Sequence, residues 1–112
     1  MNISVSQKDD LMIVTVTGRL DLTGSIALEE WTNETFIPPG GDVTMDFSQL
    51  DYISSAGLRA ILNMSKLMKK HSYEFSICSP PDHIREVLEI SGFDSFIPLF
   101  TSVEECLVQS TH

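Results

Sequence analysis

Apolar and polar positions alternate at the beginning of the chain. Residues 3–6, ISVS, and residues 11–17, LMIVTVT, have the alternation and the β-branched side chains that are typical of strands. The polar residues QKDD stand between these two segments. The pattern therefore predicts an antiparallel hairpin as the first part of a sheet.

A helical period follows the segment GRLDLTGS. From Ser25 onward, apolar residues recur at helical spacing, at Ile26, Ala27, Leu28 and Trp31. Phe36, Ile37 and the sequence PPGG end this pattern, because proline and glycine do not continue a helix. We predict a first helix of about three turns over these residues.

The middle of the chain predicts a strand and then the longest helix. Residues 42–47, DVTMDF, read as a half-buried or buried strand, and residues 50–53, LDYI, continue through a turn. A helix is predicted from Ala56 to about Lys70, with a broad apolar stripe at Leu58, Ile61, Leu62, Met64, Leu67 and Met68. Its outward positions are Arg59, Asn63, Lys66, Lys69 and Lys70.

The last third alternates strand and helix again. Residues 73–79, YEFSICS, read as a central strand, and a helix opens at Pro81 and Asp82 and closes at Gly92. FIPLF at 96–100 predicts a last strand, and Ser102 with Glu105 resembles a capping box before a final helix.

This order predicts an α/β fold with a mixed sheet of about four to five strands and about four helices. A chain of 112 residues has the size of one domain. We place that domain at residues 1–108 and predict a frayed tail at residues 109–112.

The net charge of the chain argues against some classes of binding partner. Sixteen acidic and seven basic residues give a formal net charge of -9, which argues against nucleic acid as a partner and disfavours an acidic lipid surface. The first residues lack the pattern of a signal peptide, and no apolar run is long enough to cross a bilayer. We expect a cytoplasmic protein without membrane insertion.

The spacing of the cysteines and histidines does not indicate a metal site or a redox-active cysteine pair. Cys78 and Cys106 form no CxxC pair, so buried free thiols are expected. His71, His83 and His112 lack the spacing of metal ligands. We expect no metal and no cofactor.

The segment SSAG at residues 54–57 combines serines with a glycine at the start of the longest helix. A serine in this position commonly caps the helix, which is the structural interpretation. Gly57 would leave the backbone bare, so that a partner or a phosphoryl group can approach closely. Catalysis by serine needs a base, and no histidine or lysine stands in this stretch, so we expect no enzyme.

Three segments together resemble a known family. They are GRLDLTG at 18–24, VTMDFSQLDYISSAGLRAIL at 43–62 and SPPDHIREVLEISGFDSFIPLFTSVEECL at 79–107. They are similar to the STAS domain of bacterial anti-sigma factor antagonists over almost the entire chain. The resemblance implies a STAS-like fold and a regulatory protein.

The resemblance also implies a site. Ser55 matches the serine that a partner kinase phosphorylates, and it is followed by Ala56, Gly57 and Leu58. Ser54 stands where classical members carry Asp, and Ala56 stands where they carry Ser or Thr.

Acidic positions outside that segment match the family as well. Asp21 matches the acidic residue of the G-x-L-D turn near the phosphosite, and an ordinary helix-start or turn carboxylate is the alternative. Asp46 matches the Asp at the end of the strand before the site, and Ser48 follows it. For these two, a hydrogen bond within the turn is the preferred interpretation.

The implied partners are an anti-sigma factor that is also a serine protein kinase, and a serine phosphatase. Phosphorylation of Ser55 would end the binding to the kinase, and Arg59, Asn63 and Met64 would touch the partner, with core packing as the alternative for Met64. The alternative function is a non-switching STAS subunit of a signalling scaffold or of a phospholipid or anion transport complex.

Overall fold

A six-stranded mixed sheet forms the centre of the protein. The computed structural model describes residues 1–36 and 40–110. The strands are β1 (Asn2–Lys8), β2 (Leu11–Leu20), β3 (Asp42–Asp46), β4 (Leu50–Ile53), β5 (Phe75–Cys78) and β6 (Leu99–Phe100). β1 and β2 form the predicted antiparallel hairpin, and all other pairs are parallel.

Strand β2 changes its neighbour along its length. The spatial order is β1-β2-β3-β5-β6, and β4 also pairs with β2. The first half of β2 pairs with β3, and residues Gly18 to Leu20 pair with β4, with a register shift between Gly18 and Arg19. Strand β4 follows β3 after the turn at residues 47–49. It pairs with the C-terminal end of β2, whereas β3 pairs with the first half of β2.

The four α-helices are divided between the two faces of the sheet. They are α1 (Leu22–Trp31), α2 (Ser55–Lys70), α3 (Asp82–Ile90) and α4 (Val103–Ser110). The main core contains the buried side chains of α1, α2 and α3, including Leu28, Ile61, Met68 and Leu88, packed with those of the sheet. Helix α4 covers the other face, where Cys106 packs with Leu11 and Ile13.

Local sequence explains where helices α2 and α3 end. Helix α2 ends in a Schellman motif: the amide of Tyr73 donates to the carbonyl of Met68, and the amide of Ser72 donates to the carbonyl of Lys69. Ser72 has a φ of 63° in this turn. Gly92 has a φ of 79° after α3, as expected for a glycine that ends a helix.

Three sequence predictions about the elements need correction. Helix α1 begins at Leu22 rather than Ser25, because Asp21 caps it. Its residues Ile26 and Ala27 are exposed, so they do not belong to an inward stripe. Residues 50–53 form a strand rather than a turn, which raises the strand number above the predicted four to five.

The C-terminal part of the chain is also more regular than predicted. Helix α4 extends through Ser110 and therefore includes part of the segment predicted as a tail. Ser102 accepts from the amide of Glu105 at 3.1 Å, as a cap should, but the carboxylate of Glu105 accepts from Thr101 instead of completing the box. Ile37 and His112 lie outside the described residues.

Candidate functional site

Two helices begin side by side at one edge of the sheet. Leu20 and Ile53 are register partners at the carboxyl ends of the parallel strands β2 and β4. Helix α1 starts at Leu22, two residues after the first strand, and α2 starts at Ser55, two residues after the second. The carboxyl ends of parallel strands are the usual location of binding sites in α/β folds.

Ser54 caps helix α2 and joins it to strand β2. Its hydroxyl accepts from the amide of Gly57 at 3.1 Å and donates to the carbonyl of Leu20 at 3.2 Å. Its own amide donates to the same carbonyl at 3.0 Å. The Ser54 side chain therefore uses both its donor and an acceptor within the fold.

Gly57 is buried where the helix crosses the strand. A Cβ atom at this position would lie 2.5 Å from the carbonyl oxygen of Leu20 and 2.9 Å from a side-chain carbon of Ile53. The prediction that Gly57 bares the backbone for a partner is wrong in its physical reason. The glycine lets the first turn of α2 pack directly on β2.

Ser55 has a different environment from its neighbour. It is the first residue of α2, its side chain is exposed, and its hydroxyl makes no hydrogen bond with any residue in the described ranges. The first amides of a helix have no acceptor within the helix, so the N–H groups of Ser55 and Ala56 point out of its beginning. An exposed hydroxyl thus lies at the positive end of the helix dipole.

Asp21 caps helix α1 in the same way as Ser54 caps helix α2. Its Oδ1 accepts from the amide of Gly24 at 2.9 Å, and a Cβ at Gly24 would lie 2.6 Å from the carbonyl of Arg19. The helix-start interpretation of Asp21 therefore describes its contacts. Its carboxylate also lies 3.9 Å from Arg19 Nε, an exposed pair of small energetic weight.

The remaining residues of the predicted site divide into surface and core. Arg59 and Asn63 are exposed on α2, and Leu58 is half-buried against the core. Met64 is 2% exposed and belongs to the core, so the core interpretation is the correct one for this residue. Arg59 makes no ion pair with any residue that the structure describes.

Sequence reasoning missed several exposed groups near this edge. Leu22 and Ile26 are exposed on α1, and the guanidinium of Arg19 lies 4.3 Å from the centre of the Tyr52 ring. The spacing shared by DLTG at 21–24 and SSAG at 54–57 could have revealed that both helices start in the same way, but not that Leu22 and Ile26 are exposed.

The other candidate polar residues have local roles. Asp46 accepts from the amide of Ser48 at 2.9 Å, which is the predicted hydrogen bond within the turn. His83 Nε2 contacts the carbonyl of Asp51 at 2.8 Å. Cys78 and Cys106 are buried thiols that form no disulfide, as predicted, and residues 1–36 and 40–110 contain no cluster suited to a metal ion.

Comparison with known proteins identifies the family. The profile of the STAS domain matches residues 2–106. The chain is 34% identical over 104 residues to BtrV of Bordetella bronchiseptica, a provisionally assigned anti-sigma factor antagonist, with 93% of this chain and 90% of that protein covered. The chain belongs to the STAS-domain family of anti-sigma factor antagonists.

Solved structures of this family share the fold. An anti-sigma factor antagonist from Mycobacterium paratuberculosis superposes with a TM-score of 0.88 at 20% identity, covering 99% of this chain and 94% of that chain. Unphosphorylated SpoIIAA gives a TM-score of 0.77 at 14% identity, covering 96% and 95%. Within the described part of this STAS chain, no helix combines the length and apolar character required to span a bilayer.

Proposed function

We propose that this protein is a partner-switching antagonist whose switch is Ser55. In the unphosphorylated form it binds an anti-sigma factor that is also a serine protein kinase, and phosphorylation of Ser55 ends that binding. A serine phosphatase restores the hydroxyl. The observation that carries the proposal is the exposed hydroxyl of Ser55, which has no hydrogen-bond partner among the described residues, beside a Ser54 hydroxyl that is engaged in the fold.

The chemistry of the transfer favours Ser55 over Ser54. The Ser55 oxygen would attack the γ-phosphorus of ATP held by the kinase, the bond to ADP would break, and the serine proton would pass to a base of the kinase. Ser54 would have to give up its hydrogen bonds to Leu20 and Gly57 before it could react. The Ser55 hydroxyl has no hydrogen bond to a described residue that must break before it can react.

The effect of the phosphate would be local. It adds about 1.5 to 2 negative charges at neutral pH, so a contact built around a neutral hydroxyl is lost. The amides of Ser55 and Ala56 and the helix dipole stabilise the added charge. The fold therefore tolerates the modification while the interface does not.

The test begins with the modification itself. The protein is isolated from its host before and after stress and digested with chymotrypsin, which cuts after Tyr52 and Leu58 and releases residues 53–58, ISSAGL. Fragmentation that keeps the phosphate attached assigns it to Ser54 or Ser55. We expect phosphate on Ser55 with an occupancy that changes with stress, and none in a Ser55→Ala strain.

The second step measures binding. Candidate anti-sigma factors that phosphorylate the purified protein are expected to bind wild type and Ser55→Ala with similar affinity and Ser55→Asp more weakly. Unmodified Ser55 under all conditions, together with equal affinities for the two variants, would instead support the non-switching subunit of a scaffold or transport complex.

A further inference from the structure

We propose that helix α1 supplies a second part of the surface on which the anti-sigma factor docks, an apolar patch formed by Leu22 and Ile26. This α1 patch would contact the partner together with Ser55 and Arg59 on helix α2. The inference rests on the proposed function, since its occupant is the anti-sigma factor of that proposal.

The α1 patch is apolar surface that the fold does not use. Leu22 is 65% exposed and Ile26 is 50% exposed, although α1 is only ten residues long. The two side chains are four positions apart and therefore lie on the same face of the helix. The buried face of α1 consists of Gly24, Ser25 and Leu28. Neighbouring exposed apolar side chains of this kind commonly mark an interaction site.

The position of the α1 patch connects it to Ser55. Asp21 and Ser54 are the caps of the adjacent helix starts, so Leu22 occupies on α1 the place that Ser55 occupies on α2. The strands that lead into them are register partners at Leu20 and Ile53, and paired strands are about 5 Å apart. One partner surface can therefore cover both helix starts.

A groove between the helices extends the same surface. It has a volume of about 290 Å³ and is lined on the α1 side by Leu28 and Thr32 and on the α2 side by Ala60 and Asn63. Asn63 follows Ser55 and Arg59 at four-residue intervals along α2, so these three exposed residues run beside the groove. A protruding partner side chain could enter it.

Charge identifies the kind of partner surface. The protein carries a formal net charge of -9, but Arg59 is an exposed cation without an ion pair in the described ranges. Glu29 lines the groove, Glu30 is exposed beside it, and each copy carries the same formal net charge of -9, so charge opposes the approach of a second copy to this face. The complementary partner surface is an apolar protrusion with a carboxylate placed to meet Arg59 and a cationic group placed to meet Glu29, which lines the groove.

The test compares matched apolar substitutions. Leu22→Gln with Ile26→Gln removes the α1 patch and keeps good helix formers, and Ile90→Gln is the control, because Ile90 is 79% exposed on α3 outside this surface. Calorimetric titration of the purified anti-sigma factor is expected to give about 10- to 100-fold weaker binding for the double variant. Ile90→Gln should bind like wild type. Thermal unfolding of each variant verifies the fold.

The contribution of Arg59 to binding is tested with a matched pair of substitutions. Arg59→Gln should weaken binding and reduce its dependence on sodium chloride, whereas Arg85→Gln, with the same charge change on α3, should do neither.

If Ser55→Asp weakens binding and the α1 double variant does not, the inference is wrong and the proposed function stands. If no anti-sigma factor binds wild type, the proposed function is wrong, and the inference that rests on it is wrong as well. Self-association that disappears in the double variant would assign the α1 patch to a second copy and also overturn the inference.

Discussion

The Ser54 hydroxyl donates to the carbonyl of Leu20 across 3.2 Å, and this hydrogen bond ties the first turn of helix α2 to the end of strand β2. The same oxygen accepts from the amide of Gly57. One side chain thus fixes the helix start that carries Ser55. The adjacent serines differ in their contacts, and this difference leads to the first prediction.

Ser54→Ala should lower the free energy of unfolding by about 1 to 2 kcal/mol, because the helix loses its cap. Ser55→Ala is the matched control and should change it by less than about 0.5 kcal/mol, since the Ser55 side chain is exposed and makes no hydrogen bond in the described ranges. Urea unfolding followed by circular dichroism measures both. Equal losses for the two variants would contradict the division of roles.

Gly57→Ala should destabilise the protein although alanine is the better helix former. The added methyl group would lie 2.5 Å from the Leu20 carbonyl oxygen, and crowding of this kind typically costs about 1 to 3 kcal/mol. Gly40→Ala is the control, because a methyl group added there would lie more than 4 Å from every other described residue apart from its chain neighbours. A melting temperature for Gly57→Ala equal to or above that of wild type would show that the helix can move off the strand.

Ser72→Gly should stabilise the protein by about 0.5 to 1 kcal/mol. Ser72 has a φ of 63° at the end of α2, where a residue with a Cβ is strained and glycine is not. Gly92→Ala makes the reverse change after α3, at a φ of 79° with open space around it, and should lower stability. Differential scanning calorimetry should therefore show shifts of opposite sign. Shifts of the same sign would mean that the backbone conformation does not determine the effect.

Alkaline pH should weaken the fold through Cys78. Burial raises the pKa of the Cys78 thiol from 9.0 to about 11, because the thiolate would be desolvated. Above pH 9.0 the unfolded chain loses this proton first, so the contribution of Cys78 to stability is complete below pH 9.0 and declines until about pH 11. Urea midpoints across this range should fall less in Cys78→Ala than in wild type. Parallel declines would assign the effect to other groups.

Much of the fold could be predicted from the chain because its periodicities are strong. The hairpin at the N-terminus and helix α2 follow directly from alternating and helical apolar patterns, and the structure confirms them. Strand β4 could not be recognised from LDYI, because four residues carry too little pattern and the strand exists through its pairing with β2. The periodicity misplaces the start of α1, because Ile26 and Ala27 suggest an inward face that the tertiary structure leaves exposed.

The candidate site was predictable in its position but not in its internal roles. The sequence placed serines and a glycine at a helix start, yet only packing reveals that Gly57 contacts Leu20. The exposure of Leu22 depends on how α1 lies on the sheet, which no local pattern specifies. Phosphorylation of Ser55 remains a prediction, which the accessibility of its hydroxyl supports.

The separate roles of the two neighbouring serines affect how such a protein can evolve. Because Ser54 holds the helix and Ser55 does not, a lineage can replace Ser55 without losing a folded domain, and under the proposed function it would then lose or alter its regulation. Replacement of Ser54 by a side chain that cannot cap α2 would instead lower the stability of the domain. Descendants of one ancestral gene could thus retain the scaffold while the signal that it answers to is gained, silenced or exchanged.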